Sequence, residues 1–120
     1  MNILKNNGII EGGYKLYFNN GQLSEEEQYI DGKMCGVYRV LYTNGKLCEE
    51  IYFSNDKKHG KCREYYDNGQ LAHEMNYINN KLHGVYKSYS NDGHLADEKY
   101  YKNGKLKKEC KKYNTKKLTL

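Results

Sequence analysis

The stretch Gly36-Val37-Tyr38-Arg39-Val40-Leu41-Tyr42-Thr43-Asn44-Gly45-Lys46-Leu47-Cys48-Glu49-Glu50 decides the architecture, because its landmarks return with a fixed period along the chain. The dipeptide recurs as Asn20-Gly21, Asn44-Gly45, Asn68-Gly69 and Asp92-Gly93, 24 residues apart each time, and each is followed two residues later by Leu23, Leu47, Leu71 or Leu95. Gly12, Gly36, Gly60 and Gly84 hold the same phase, as do Glu26, Glu50, Glu74 and Glu98 and the aromatics Tyr29, Phe53, Tyr77 and Tyr101. A period of this length marks a repeat array, in which each unit buries its apolar surface against its neighbours.

Asn-Gly or Asp-Gly between short runs of Tyr, Val, Leu and Phe is the signal of a β-hairpin with a two-residue type I′ turn, which needs positive φ at both central residues. The return turns read Asp31-Gly32, Asn55-Asp56, Asn79-Asn80 and Asn103-Gly104, again residues that tolerate left-handed backbone. The chain is therefore expected to be all-β, an elongated antiparallel β-meander of about ten strands built from hairpin repeats. The units run over about 12–35, 36–59, 60–83 and 84–107, with half units at both ends of one domain spanning 1–120. Strands are expected near 2–5, 13–18, 23–29, 36–42, 47–53, 60–66, 71–77, 84–89, 95–101 and 108–113. No segment carries helical apolar spacing.

If Asn20 and Gly21 centre the turn, residue 18 faces 23, 17 faces 24 and Lys15 faces Glu26. The same arithmetic sets Arg39 against Glu50, Arg63 against Glu74 and Lys87 against Glu98. A one-residue slip would break all four pairs, so the ladder fixes register more than it adds stability. Alternation then expects one apolar face carrying Tyr14, Phe18, Leu23, Tyr38, Leu47, Ile51, Leu71, Met75, Tyr86 and Leu95 with their equivalents. The opposite face carries the charge ladder, the small residues Ser24, Cys48, Ala72 and Ala96, and a stripe of Tyr17, Leu41, Tyr65, Tyr89 and Tyr113. With no helix to cover the apolar face, the sheet must either curl over it or bury it against another chain.

Residues 1–98 carry 11 Lys or Arg against 14 Asp or Glu, whereas residues 99–120 carry nine Lys against the single Glu109. The net charge of +5 is thus a property of the C-terminal end. Cys35, Cys48, Cys62 and Cys110 form no C-x-x-C and suit reduced thiols. No apolar run approaches the length of a membrane helix. A soluble, cytoplasmic protein is expected, from an AT-rich bacterial or large-viral genome, and a virion component if viral.

The side-chain chemistry argues against an enzyme. His59 and His83 share a phase, but equivalent residues in neighbouring units lie about 9.5 Å apart, too far for one zinc ion. Neither metal nor cofactor is expected. In Glu49-Glu50 the two carboxylates point to opposite faces, and Glu50 already has a basic partner. P-loop, G-x-S-x-G and H-E-x-x-H motifs are missing from the sequence. The candidate binding residues are Tyr17, Tyr65, Tyr89, Tyr100 and Tyr113 with Lys102, Lys107 and Lys111, since aromatic planes interleaved with cations can hold a phosphate-rich partner or an anionic membrane. Against this, lysines on a terminal strand protect a sheet edge from aggregation, and the acidic first 98 residues disfavour nucleic acid.

The approximate unit G-x-Y-K-x-Y-x-x-N-G-x-L-x-E-E resembles the variant MORN repeat, over residues 8–113. Asp56 and Asn80 depart from it in place of the return-turn glycine, Cys62 in place of the first-strand tyrosine, and Ser90 in place of Phe or Tyr. The resemblance implies a non-catalytic protein-interaction or structural module within a larger assembly, its partner another protein or further copies of itself. It also implies one alternative, an antitoxin-like protein that neutralises a toxin, and the lysines and tyrosines of the basic C-terminal end give a second, association with an anionic membrane.

Overall fold

The computed structural model describes residues 3–4, 8 and 10–112, and the side chains of 8 and 11–109. It is an open antiparallel meander of thirteen strands: β1 (Ile3–Leu4), β2 (Ile10–Tyr17), β3 (Leu23–Ile30), β4 (Lys33–Met34), β5 (Gly36–Leu41), β6 (Leu47–Ser54), β7 (Lys57–Lys58), β8 (Gly60–Tyr65), β9 (Leu71–Ile78), β10 (Lys81–Leu82), β11 (Gly84–Tyr89), β12 (Leu95–Lys102) and β13 (Lys105–Lys112). Ten of them form one uninterrupted path, β1-β2-β3-β5-β6-β8-β9-β11-β12-β13. The two-residue strands β4, β7 and β10 are short returns that pair only with the strand before them.

The type I′ turn expected at Asn20-Gly21 and its equivalents does not form there, while the left-handed backbone expected at the return turns does. At Asn20-Gly21 and its equivalents only the glycine is left-handed, with φ of 90°, 86°, 92° and 94° at Gly21, Gly45, Gly69 and Gly93. Gly45 N–H donates to Tyr42 O at 2.9 Å and Tyr42 N–H to Lys46 O at 2.8 Å, closing a three-residue loop. This is the type I turn with a following left-handed residue, the next most common hairpin connection. The type I′ turns are the return turns, where both residues are left-handed: Asp31 and Gly32 at 53° and 80°, Asn55 and Asp56 at 51° and 67°, Asn79 and Asn80 at 49° and 70°.

The charge register nevertheless holds, because two offsets cancel. Lys15 pairs with Glu26, Arg39 with Glu50, Arg63 with Glu74 and Lys87 with Glu98. The longer loop moves the pairing by one residue, and a bulge restores it, since Leu16 faces Glu25 while Tyr17 faces Leu23. The expected pairs of 18 with 23 and 17 with 24 are thereby corrected. Leu41 likewise faces Leu47, Tyr65 faces Leu71 and Tyr89 faces Leu95. Directly opposed residues share a face, so the leucines after each turn join the tyrosine stripe rather than the apolar face.

The apolar face stays open, and the smallest principal extent of the molecule is 13 Å. Its centre is the cluster Ile51, Cys62 and Met75, packed by Tyr38, Phe53, Tyr77, Leu82 and Tyr86. Cys62, at 2% exposure, is the most buried residue of this cluster. The small thiol in the place of a tyrosine lets its neighbours close over it, and burial pushes its pKa up. Tyr38 and Phe53 meet edge to face at 6.2 Å, the arrangement aromatic pairs favour.

Neighbouring units are joined at both ends of the strands by side chains that reach backbone. At the hairpin end, Asn44 Oδ1 accepts from Lys46 N–H at 2.9 Å while its Nδ2 donates to Asp67 O of the next unit at 2.9 Å. Asn68 repeats this with Gln70 N–H at 2.9 Å and Asn91 O at 2.8 Å. Beside them Tyr42 Oη donates to Tyr65 O, and Tyr66 Oη to Tyr89 O. At the return end, Asp56 exchanges two bonds with Met34: Asp56 N–H to Met34 O at 3.0 Å, and Met34 N–H to Asp56 Oδ1 at 2.7 Å. Asn80 does the same with Lys58, at 2.9 and 2.7 Å. The two departures from return-turn glycine are therefore the residues that bind their unit to the one before.

Candidate interaction surfaces

The ladder face is built by the shared phase of Arg39 and Arg63 with the glutamates. Arg39 Nε lies 2.9 Å from Glu50 Oε2 and its Nη1 3.8 Å from Glu26; Arg63 Nε lies 2.9 Å from Glu74 Oε2 and its Nη1 3.6 Å from Glu50. Glu26, Arg39, Glu50, Arg63 and Glu74 thus form one alternating line across five strands, not separate pairs. A line of this kind fixes its three inner side chains from two sides and sets three carboxylates against two guanidiniums.

The candidate residues from the sequence are distributed as follows. Tyr17 is 59% exposed at one end of the sheet. Tyr65 and Tyr89 are half-buried on the same face; Tyr65 is shifted up mainly by burial, and the Tyr89 carbonyl is occupied by Tyr66. Tyr100 is exposed and stands between Val85 and Lys108 in register. Lys102 pairs with Lys105 on the face of Tyr100, whereas Lys107 falls into a bulge between Leu106 and Lys108 and leaves the register expected for it. Lys111 faces Glu98, continuing the ladder on β13, with its side chain outside the described residues. Tyr113 lies outside them altogether. The fold gathers Tyr100, Lys102, Lys105 and Lys108 at one end and leaves Tyr17 at the other.

The apolar face holds residues that the sequence reading passed over. An open hollow of about 390 Å³ is lined by Tyr42, Cys48, Glu49, Glu64, Tyr66 and His73, among others. A second, smaller hollow uses the same Glu49 and Glu64 with Ile51, Lys58, Cys62 and Tyr77. Cys48 and Ala72 lie on this side and not beside the ladder, because they occupy the bulge position, where alternation is interrupted. Glu49 and Glu64 are direct cross-strand partners. The Glu49 carboxyl is pushed up by its burial and then by Glu64, against the pull of Lys58. His73 Nδ1 lies 3.1 Å from Tyr86 Oη. Tyr42 is pushed up to about 12, first through its contact with the Cys48 thiol. The signal for this row was the doublet Glu49-Glu50: once Glu50 belongs to the ladder, Glu49 must lie on the opposite face.

Among the described residues, no group of three His, Cys, Asp or Glu side chains is placed to hold a metal ion, and no helix is long and apolar enough to cross a membrane.

The fold defines a class, a single-sheet repeat protein whose units are hairpins stacked edge to edge. The family model of the MORN repeat variant matches residues 10–31, 34–55, 58–79, 82–103 and 98–114, and the chain belongs to that family. MORN repeats are in general modules for interaction with proteins or membranes, and in general non-catalytic. No curated protein matches the chain. Among solved structures it is similar to part of a TarM mutant from S. aureus, crystallised with Fondaparinux, alpha-GlcNAc-glycerol and UDP. The identity is 13%, over 91% of this chain and 21% of that one, with a TM-score of 0.48. The chain therefore spans about a fifth of that protein's length.

Proposed function

We propose that the protein is a non-catalytic protein-interaction or structural module that works within a larger assembly. The observation that carries this is the open apolar face. Among the described residues only Ile51, Cys62, Ala72 and Met75 are buried hydrophobics, while Tyr38, Phe53, Tyr77, Leu82 and Tyr86 pack on the cluster from one side and remain partly exposed. A sheet that leaves its largest side chains half covered gains stability when a partner removes them from water. Cross-linking in the host followed by mass spectrometry, with light scattering of the purified chain, tests this. A stable complex or a defined oligomer is expected. A monomer with no cross-linked protein partner would overturn it.

A second reading, association with an anionic membrane, is supported by Lys102, Lys105 and Lys108 beside exposed Tyr100. Flotation with vesicles containing phosphatidylserine tests it. Binding that weakens steeply with salt and is lost in Lys102→Ser/Lys105→Ser/Lys108→Ser supports it; failure to float sinks it.

A further inference from the structure

Glu49 and Glu64 are opposed in register on the open face, although like charges directly across a sheet are destabilising. On the other face the glutamates of the line are met by arginine. Neither Glu49 nor Glu64 has an ion pair or a hydrogen-bonded side chain among the described residues. Lys58 lines the smaller hollow with both glutamates and pulls on Glu49, but its Nζ lies over the Tyr77 ring, 5.1 Å from the centroid. His73, opposite Glu64, is engaged with Tyr86. The two carboxylates stand where the two hollows meet, with Tyr42 and Tyr66 on one side and Ile51, Cys62 and Tyr77 on the other.

We propose that this row is a docking surface for a cationic protein segment, whose lysine or arginine enters between Glu49 and Glu64 while its apolar residues pack on the aromatic walls. The inference rests on the interaction-module reading and names the surface and the chemistry of the partner. Charge complementarity decides it: the apolar walls would accept many segments, but only a cation relieves the opposed carboxylates, and an anionic partner is repelled.

The probe is a short synthetic peptide alternating lysine with leucine, titrated calorimetrically into the full chain, with a glutamate-leucine peptide as control. Two double variants remove the same charge, Glu49→Gln/Glu64→Gln on this face and Asp92→Asn/Glu98→Gln away from it. The lysine peptide alone is expected to bind, with about tenfold or greater loss in the first variant and less than twofold in the second. The first variant should also raise the melting temperature of the free protein, which shows that it folds and that the opposed pair is costly. Absence of lysine-peptide binding, or equal loss in both variants, overturns the proposal, while a partner still recovered by cross-linking would leave the module reading standing. Sedimentation of the free chain separates one further case. If Glu49→Gln/Glu64→Gln disperses a self-associated form, the occupant is a second copy and a separate cationic partner is ruled out.

Discussion

Asn68 gives the sharpest test of how the units are joined. Its Oδ1 accepts from Gln70 N–H inside its own turn, and its Nδ2 donates to Asn91 O in the next. Asn68→Asp keeps the first bond, deletes the second, and sets a carboxylate against a carbonyl oxygen. An exposed hydrogen bond contributes about 0.5–1.5 kcal/mol net, so the loss should be about 1 kcal/mol, read as a fall in Tm of about 4 °C for a chain of this size. Asn68→Ala removes both bonds and should cost about twice as much. The control is Asp92→Asn at the equivalent position. There the acceptor for Ser90 and His94 is retained and the new amide has no following hairpin turn among the described residues, so Tm should fall by less than for Asn68→Asp, the loss being that of an exposed carboxylate contact with His94. Urea unfolding by circular dichroism, with amide exchange at residues 89–94, reads both effects. Equal destabilisation by Asn68→Asp and Asp92→Asn would refute the view that this residue links one unit to the next.

Four further outcomes follow from the packing and the charges. Met75→Ala should cost about 2–3 kcal/mol by denaturant titration, at the low end for a buried methionine because water can reach part of the open face. Asn80→Ala loses the bond to Lys58 N–H and puts alanine at φ 70°, so it should cost about 2 kcal/mol, whereas Asn80→Gly relieves the backbone and should cost under about 1 kcal/mol. Tyr29 and Tyr38 are both pushed up to about 12, chiefly by burial and then by Glu27 and Glu25. The folded state thus holds these protons more tightly, stability is full below pH 10 and falls as pH rises from 10 to 12, and urea midpoints should track tyrosinate absorbance at 295 nm. Arg63→Met should destabilise more than Lys87→Met in the same titration, since Arg63 is bonded to glutamates on both sides.

The period, the hairpins and the charge register were legible because each repeats four times, and a false register does not place Lys15, Arg39, Arg63 and Lys87 opposite four glutamates. The turn types were not. Asn-Gly serves equally a two-residue type I′ turn and the end of a three-residue loop, and the bulge that compensates the longer loop leaves no mark in composition. That bulge also explains why Leu47 was assigned to the wrong face and Cys48 to the ladder: strict alternation was carried through the one position where it fails. The row of Glu49 and Glu64 was half legible: the place of Glu49 follows from its doublet with the paired Glu50, whereas Glu64 follows Arg63, and its position opposite Glu49 comes only from the register of β6 with β8. Tyr100 and Lys102 could be placed on one face from spacing, whereas the displacement of Lys107 follows from irregular pairing of β13 that the lysine-rich sequence does not announce.

Apart from the contacts of Arg39 with Glu26, Arg63 with Glu50 and Tyr86 with His73, the side-chain bonds between units end on main-chain atoms: Asn44 and Asn68 on the carbonyls of Asp67 and Asn91, Asp56 and Asn80 on the amides of Met34 and Lys58. A carbonyl or an amide is the same whichever residue carries it. A unit can therefore be duplicated, deleted or exchanged for a divergent one without its neighbours having to change, provided it keeps its own asparagines, its own basic and acidic ladder residues and its own length. Such an array can grow or shrink by whole units through gene duplication, and its surfaces are free to diversify while its joints stay generic.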